Sequence, residues 1–238
     1  MNCVASRVTE AGWVALLAAV LAALFVWRPD IDLAVSGVFF ADGQWTAWRE
    51  HPLAQLLYRG VPPLGQGLLL LLFILFVLGF IRRFDRLRAR RAGLGFLLVA
   101  ALIGQGLLVD QGLKNNLGRA RPSQVMEFGG DKRFTPALVP SDQCQKNCSF
   151  ASGHVAATAF LMGFGWLGTR RQHRRWLLVS VLAAGAMGAV RILQGGHFLS
   201  DVVFAWLATY FSFWLSAWLF RRLGWLPGEN RPPETVDR

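Results

Sequence analysis

The residues best suited to chemistry in this 238-residue chain lie in three short segments. In the last of them, His197 and Asp201 are four residues apart, which on a helix places the carboxylate one turn from the imidazole. Such a carboxylate fixes the imidazole tautomer and leaves the other ring nitrogen free as a nucleophile. Gly195 and Gly196 predict a tight turn that brings Arg191 toward the same point. A purely structural His–Asp pair is the alternative interpretation.

The middle segment contains the run Ser152-Gly153-His154 at the predicted start of a helix. Ser152 suits the N-cap position, and Gly153 lets a ligand approach the backbone closely. Free amide groups and the helix dipole at such a point favour a bound phosphate, to which His154 in the first turn could donate a proton. The alternative is an ordinary capped helix start.

The first segment carries Lys114 and Arg121, seven residues apart. Seven residues are two helical turns, so both cations are predicted to point the same way at the end of a helix. Two such cations form an anion site, because arginine in particular can grip phosphate oxygens with two hydrogen bonds. Interfacial cations that reach for the membrane surface are the alternative.

The three segments together supply the groups that phosphoryl transfer requires. Cations balance the charge on the phosphoryl oxygens, one histidine attacks in line, and the other protonates the leaving oxygen. No cysteine, histidine or carboxylate grouping has the spacing of a metal site, and a cation-rich pocket repels metal ions. We therefore expect neither a metal nor a cofactor.

Long apolar runs separate these segments and must position them. Hydrophobic residues make up 54% of the chain and charged residues 16%, well below the roughly 25% that is typical of soluble domains. The composition predicts an all-α, polytopic membrane protein with six transmembrane helices in a bundle. The predicted helices are 11–27, 62–81, 93–113, 153–168, 176–193 and 198–220. Residues 1–222 are predicted to form one membrane domain, followed by a disordered cytoplasmic tail at 223–238.

The net charge of +11 is interpreted as topology rather than as nucleic-acid binding. Loop 82–92 holds six arginines and one aspartate, and loop 169–175 holds four arginines and no acid. Because basic loops stay in the cytoplasm, both loops and both termini are predicted to be cytoplasmic. The active segments then lie in loops 114–152 and 194–197 on the outer, periplasmic face of a bacterial inner membrane.

Two further predictions concern the outer face. The segment 28–61 is expected to lie along the membrane surface as short amphipathic helices. Cys144 and Cys148 stand in the outward loop, where an oxidising compartment permits a disulfide that closes a small ring beside the middle segment.

The patterns K-x6-RP, SGH and R-x5-H-x3-D, in this order, resemble the three-part signature of the type 2 phosphatidic acid phosphatase superfamily. The resemblance implies a metal-independent membrane phosphatase that works through a phosphohistidine intermediate. It implies that His197 is the nucleophile, that Asp201 orients it, and that His154 protonates the leaving group. The phosphate-binding residues that it implies are Lys114, Arg121, Ser152, Gly153 and Arg191.

Two positions depart from the usual family pattern, namely Ala151 in place of a proline before SGH and Val190 in place of a serine before the arginine. The run Glu127-Phe128-Gly-Gly and the two cysteines before SGH are similar to the loop of bacterial lipid A phosphatases. We therefore expect a membrane lipid as the substrate, with lipid A ranked first. Undecaprenyl pyrophosphate, phosphatidylglycerophosphate and transfer of the phosphoryl group to a lipid acceptor remain open alternatives, as does the oligomeric state.

Three other protein classes fit the sequence less well. A membrane scaffold needs no aligned histidine, aspartate and lysine, and a transporter usually shows inverted repeats or broken helices at the midplane. A haloperoxidase of the same superfamily is soluble, which the apolar helices count against. The expected partners are the lipid substrate and the bilayer, and no nucleic acid.

Overall fold

The computed structural model describes residues 2–226, with side chains from Val8 onward. In chain order its α-helices are α1 Asn2–Trp27, α2 Asp30–Gly37, α3 Pro52–Leu78, α4 Asp85–Lys114, α5 Gly153–Ala159, α6 Gly163–Trp166, α7 Arg170–Leu193 and α8 Leu199–Arg222. Within the described range, five of them (α1, α3, α4, α7 and α8) are long and apolar enough to cross a membrane. The chain is thus a mostly helical, multi-pass membrane protein. Of the predicted tail, residues 223–226 form a turn and the rest lie outside the described residues.

The second membrane helix begins earlier than the predicted boundary at residue 62. In the structure α3 begins at Pro52, where the side chain of His51 accepts a hydrogen bond from the amide of Leu53. A proline suits the first turn of a helix because its missing N–H would have no partner there. The helix then continues through Pro62 and Pro63, which lie in its interior.

The fourth predicted membrane helix, 153–168, is interrupted. It consists of α5 with seven residues, a 3-10 turn Phe160–Met162 with three, and α6 with four. Glycines allow close packing at the interruption, because a side chain on Gly163 would run into the ring of Phe213. This element is shorter than the roughly 20 residues that a continuous span requires.

The segment between α1 and α3 differs from the predicted surface helices. It holds one short helix, α2, followed by a hairpin of β1 Phe40–Ala41 and β2 Gln44–Trp45 and a 3-10 turn at Ala47–Glu50. The buried residues of α2 are polar, Asp32 and Ser36, and this helix packs against α8. An amphipathic surface helix would bury its apolar side, whereas α2 buries polar residues and packs against the helix bundle.

The second half of α4, Leu102–Lys114, is π-helical, and irregular chain follows it as far as α5. Two 3-10 turns, Pro122–Gln124 and Met126–Phe128, lie in this segment. Cys144 and Cys148 are joined by a disulfide just before α5. The most buried of the long helices is α8, which packs against α1, α4, α5 and α7 and carries Asp201 in its first turn.

Candidate active site

His197 lies in the turn between α7 and α8 and is 2% exposed. Its Nδ1 is 2.7 Å from the carbonyl oxygen of Ser149 and 3.6 Å from Oδ2 of Asp201. An Nδ1–H that donates to the nearer oxygen leaves Nε2 unprotonated and available as a nucleophile. The predicted His–Asp pair is close in space, but the nearer orienting group is a backbone carbonyl beside the SGH run.

The environment of His197 also decides its charge. Burial lowers the pKa of His197 to about 4, although the neighbouring Asp201 carboxylate acts in the opposite direction. The charges of Arg191 and Arg121 lower it further. The imidazole is therefore neutral in the resting protein near pH 7, as a nucleophile must be.

Asp201 is completely buried and is held from three directions. Ser149 donates its hydroxyl to Oδ2 at 2.5 Å, and the Phe198 amide donates to the same oxygen at 2.8 Å. Arg119 donates from Nη1 to Oδ1 at 2.7 Å. These hydrogen bonds together fix the position of the Asp201 carboxylate.

Arg119, which is 1% exposed, links Asp201 to a second buried carboxylate. Its Nη2 donates to Asp32 of α2 at 2.8 Å, and Asp32 also accepts from the Ser200 amide at 2.9 Å. Burial raises the pKa of Asp32, and the positive charge of Arg119 opposes that rise. The network joins α2, the chain after α4, and α8, so α2 contributes to holding Asp201.

Ser152 and Gly153 form the start of α5, as predicted. Ser152 occupies the N-cap position, but it makes no capping hydrogen bond, and its buried Oγ has no hydrogen-bond partner within residues 2–226. A Cβ atom on Gly153 would lie 3.4 Å from the Lys114 ammonium, so Lys114 is beside the helix start. An unpartnered hydroxyl, free amides and a cation at a helix N-terminus are suited to bind an anion.

Arg191, at the end of α7, is 4% exposed and lies against the turn that follows it. Gly195 adopts φ +66°, and a side chain on Gly196 would occupy the space of the Arg191 guanidinium. Nη1 donates to Gln194 at 2.6 Å, whereas Nε is buried and has no partner in the described chain. The two glycines therefore form the predicted turn and leave a guanidinium N–H free for a ligand.

The helical argument for pairing Lys114 with Arg121 is wrong. The π-helical half of α4 ends at Lys114, Gly118 turns the chain with φ +56°, and Arg121 is extended at φ −81° and ψ 156°. A Cβ atom at Gly118 would collide with the carbonyl of Ser141. Arg121 still lies close enough to Lys114 for their charges to repel, and its Nη2 donates to the Asn147 carbonyl at 2.8 Å.

His154 is in the first turn of α5 and contacts a residue that the motifs did not include. Its ring stacks on Tyr58 of α3 with centroids 5.1 Å apart and planes 22° apart. Its Nε2 is 3.1 Å from the Tyr58 carbonyl oxygen. On the other side, the Arg191 guanidinium lies 4.5 Å from the centre of the same Tyr58 ring. Tyr58 thus joins the acid candidate to the cation candidate.

Sequence reasoning missed three residues of this site: Asp32, Tyr58 and Arg119. Each lies outside the three patterns or at an unassigned position within them. An aspartate in an apolar segment next to a membrane helix, such as Asp32, is costly and was a usable signal. The sequence contains no comparable signal for Tyr58, because its role depends on the folding of α3 against α5.

A cleft of about 400 Å³ extends from the site into the bundle. At one end it is lined by Lys114, Gly153 and His154. Farther along, the lining is largely apolar and comes from α3, α4, α5 and α8, and it includes Leu68, Leu69, Ala100, Phe160 and Phe213. Within residues 2–226, no group of three or more histidine, cysteine, aspartate or glutamate side chains is placed to hold a metal ion.

Three relatives are named lipid A 4′-phosphatase. The protein from Francisella tularensis subsp. novicida is 42% identical over 148 residues, which cover 61% of this chain and 66% of the relative. Those from Rhizobium etli and Rhizobium leguminosarum are 39% and 38% identical over 127 residues, covering 52% of this chain and 47% and 52% of the relatives. The chain thus spans about half to two thirds of the length of these curated relatives. No solved structure matches it.

The model of the PAP2 superfamily matches residues 91–225, which include every residue of the three patterns and more than half of the chain. Asp32 and Tyr58 precede the matched region, so part of the site lies outside it. The family predicted from the three patterns is confirmed, and the chain belongs to the PAP2 superfamily.

Proposed function

We propose that the protein is a lipid phosphatase that removes a phosphate from lipid A at the periplasmic face of a bacterial inner membrane. The observation that carries the proposal is the apolar cleft, because it begins at Lys114, Gly153 and His154 and continues between the helices. A lipid whose phosphate is bound at the start of α5 has its acyl chains beside this cleft. The name lipid A 4′-phosphatase, borne by the relatives, supports lipid A and suggests the 4′-phosphate.

The first half of the reaction forms a phosphohistidine. Nε2 of His197 attacks phosphorus, the N–P bond forms, and the bond from phosphorus to the sugar oxygen breaks. His154, protonated at this stage, gives its proton to the leaving oxygen. Ser152 Oγ and Arg191 Nε are buried donors of this site that have no partner within the described residues, and they bind the phosphoryl oxygens together with Lys114.

The second half releases phosphate. Water attacks phosphorus, the O–P bond forms, the N–P bond breaks, and His154 takes a proton from the water. Asp201 stabilises the positive charge that His197 carries after attack, as the carboxylate does in hydrolase triads. Electrostatic stabilisation comes from the cations of the protein, so the proposed reaction uses no metal.

The same proposal includes the membrane topology. Both termini and the arginine-rich loops lie in the cytoplasm, and the interrupted α5–α6 element serves as the sixth span. In support, the chain after α4 and the turn before α8 meet in one site, as expected if they leave the membrane on the same side.

Purified protein in detergent, incubated with lipid A and EDTA, tests the chemistry. We expect phosphate release to persist in EDTA, His197→Ala to abolish turnover, and His154→Ala to lower it by roughly 10²–10⁴-fold. A brief exposure to labelled substrate should give an acid-labile phosphoenzyme in the wild type only. Near-normal activity of His197→Ala would contradict the mechanism.

Mass spectra of lipid A from a Gram-negative host that expresses the protein test the substrate. Loss of one phosphoryl unit with the wild type, and not with His197→Ala, is the expected result. Unchanged lipid A, together with phosphate release from undecaprenyl pyrophosphate or phosphatidylglycerophosphate in vitro, would move the assignment to those lipids. Phosphate that appears on a second lipid instead of in solution would make the protein a phosphotransferase.

A further inference from the structure

Tyr58 belongs to helix α3 and lies four residues before Pro62. In an α-helix the carbonyl of residue i accepts a hydrogen bond from the amide of residue i+4. Pro62 has no N–H, so the Tyr58 carbonyl lacks its regular helical donor. Residue 63 is also a proline, which removes the donor for a wider i+5 bond as well.

His154 takes the place of that missing donor. Its Nε2 is 3.1 Å from the Tyr58 carbonyl oxygen, which is hydrogen-bond distance. A carbonyl has no hydrogen to donate, so Nε2 must carry the proton in this contact. The second nitrogen, Nδ1, is then the one left for proton exchange with a substrate.

The Tyr58 ring fixes the same imidazole in a second way. The two rings are stacked with centroids 5.1 Å apart, and the Arg191 guanidinium lies 4.5 Å from the centre of the Tyr58 ring. A cation over an aromatic ring is attracted to it. The tyrosine therefore sets the positions of both the acid and one phosphate-binding cation.

We propose that Tyr58 is a positioning residue for the general acid His154, and that Pro62 frees the Tyr58 carbonyl for this purpose. Nε2–H of His154 stays on the carbonyl throughout, while the Nδ1 proton moves to the leaving oxygen in the first step and returns from water in the second. The inference rests on the acid role of His154 in the proposed function. It does not depend on which lipid is the substrate.

The test replaces two neighbouring prolines with alanine, and the two new N–H groups face different carbonyls. Pro62→Ala restores an N–H that competes with His154 for the Tyr58 carbonyl. Pro63→Ala is the matched control, because in the α-helical geometry of α3 its new N–H faces the carbonyl of Arg59, an exposed residue outside the site, and not that of Tyr58. Both substitutions raise helix propensity, so neither is expected to prevent folding.

Each variant is assayed on a long-chain alkyl phosphate and on a nitrophenyl phosphate that carries the same alkyl chain. The alkyl oxygen needs protonation to leave, whereas the nitrophenolate does not. We expect Pro62→Ala to lower kcat on the alkyl substrate by roughly 10- to 100-fold, part of the general acid contribution, and to change the nitrophenyl rate less than about twofold. Pro63→Ala should change neither rate.

Equal losses on both substrates, or no loss in Pro62→Ala, would overturn the inference. His154→Ala separates this failure from failure of the proposed function. If His154→Ala shows the leaving-group difference and Pro62→Ala does not, only the role of Tyr58 is wrong. If His154→Ala shows no such difference, the acid role of His154 is wrong, and the inference that rests on it is wrong as well.

Nitrogen NMR of labelled histidine gives a readout that needs no substrate. In the wild type and in Pro63→Ala, neutral His154 should be the tautomer protonated at Nε2, whereas Pro62→Ala should show both tautomers. An unchanged tautomer in Pro62→Ala would overturn the inference even if activity were lost.

Discussion

At the scale of single residues, the site gives the two histidines different partners. His197 is oriented by the carbonyl of Ser149 at 2.7 Å, with Asp201 farther away at 3.6 Å. His154 is oriented by the carbonyl of Tyr58. A backbone carbonyl fixes a tautomer without adding a full negative charge to a site that must bind a phosphate.

His197 should remain neutral in mildly acidic solution. Burial lowers its pKa to about 4, whereas an unperturbed histidine is half protonated at roughly pH 6.5. In NMR titrations of the histidine resonances, the signal that is absent in His197→Ala should keep the neutral shift down to about pH 5. Because the unfolded chain takes up this proton first, the stability contributed by neutral His197 is lost as pH falls from about 6.5 toward 4. A midpoint near 6.5 would contradict the burial argument.

Arg119 should stabilise the fold more than Arg121 does. Arg119→Gln leaves Asp32 and Asp201 buried without their shared cation, and breaking a buried ion pair costs about 3–5 kcal/mol. For a chain of this size that cost lowers the unfolding midpoint by roughly 10 °C. Arg121→Gln loses one hydrogen bond on a half-buried side chain, so we expect weaker substrate binding with a smaller change in midpoint. Thermal unfolding in detergent measures both, and equal shifts would contradict the role of the buried network.

At the scale of elements, the packing of α7 against α8 positions Arg191, His197 and Asp201 together. Glycines in membrane helices often allow close helix packing, and α7 carries two of them, Gly185 and Gly188. In the structure, only Gly188 of the two faces α8, where it lies against Val202. Around Gly185, in contrast, no other described element comes within 4 Å of the place that a Cβ atom would occupy.

These two glycines make a matched pair for measurement. Gly188→Ala should push α8 away at Val202, one residue after Asp201, and reduce both the unfolding midpoint and kcat. Gly185→Ala should be tolerated or stabilising, since alanine is favoured over glycine in a helix by about 1 kcal/mol. Thermal unfolding and turnover of the two variants, compared side by side, check this. Similar behaviour of both variants would mean that the α7–α8 contact does not depend on Gly188.

At the scale of the whole molecule, the arginine-rich segments and the candidate active site lie at opposite ends of the bundle in the proposed topology. The arginine-rich segments lie at the starts of α4 and α7, while the site is formed where α4 ends and α8 begins. A helix that starts on one side of the membrane ends on the other, so the site faces away from the arginines.

Single-cysteine labelling in whole cells measures this topology. In a background where the native cysteines are replaced, Gly130→Cys in the outer loop should react with a membrane-impermeant maleimide. Arg88→Cys in the arginine-rich start of α4 should react only after the cells are opened. The reversed pattern would place the site in the cytoplasm, where lipid A of the periplasmic leaflet could not reach it.

The sequence alone determined the family, the membrane character and the chemical types of the site residues. These follow from local properties: long apolar runs, and patterns whose residues keep fixed spacings along the chain. His197 and Asp201 were predicted as neighbours from helical spacing, and they are close even though His197 lies in the turn just before α8, because so short a stretch of chain keeps them together. The Gly195–Gly196 turn was also predictable from local sequence, since glycine adopts a positive φ without steric cost, as Gly195 does here.

Only the tertiary structure decided the contacts between distant segments. Asp32 is 87 residues from Arg119, and Tyr58 is 96 residues from His154, so no spacing rule connects them. The seven-residue spacing of Lys114 and Arg121 gave a wrong geometry because the helix ends at the first of them and Gly118 turns the chain. The interruption of the fourth helix likewise lies beside Gly163, which packs closely against Phe213 of a distant helix. A side chain's partner across the bundle is set by how the helices dock, which the local sequence does not encode.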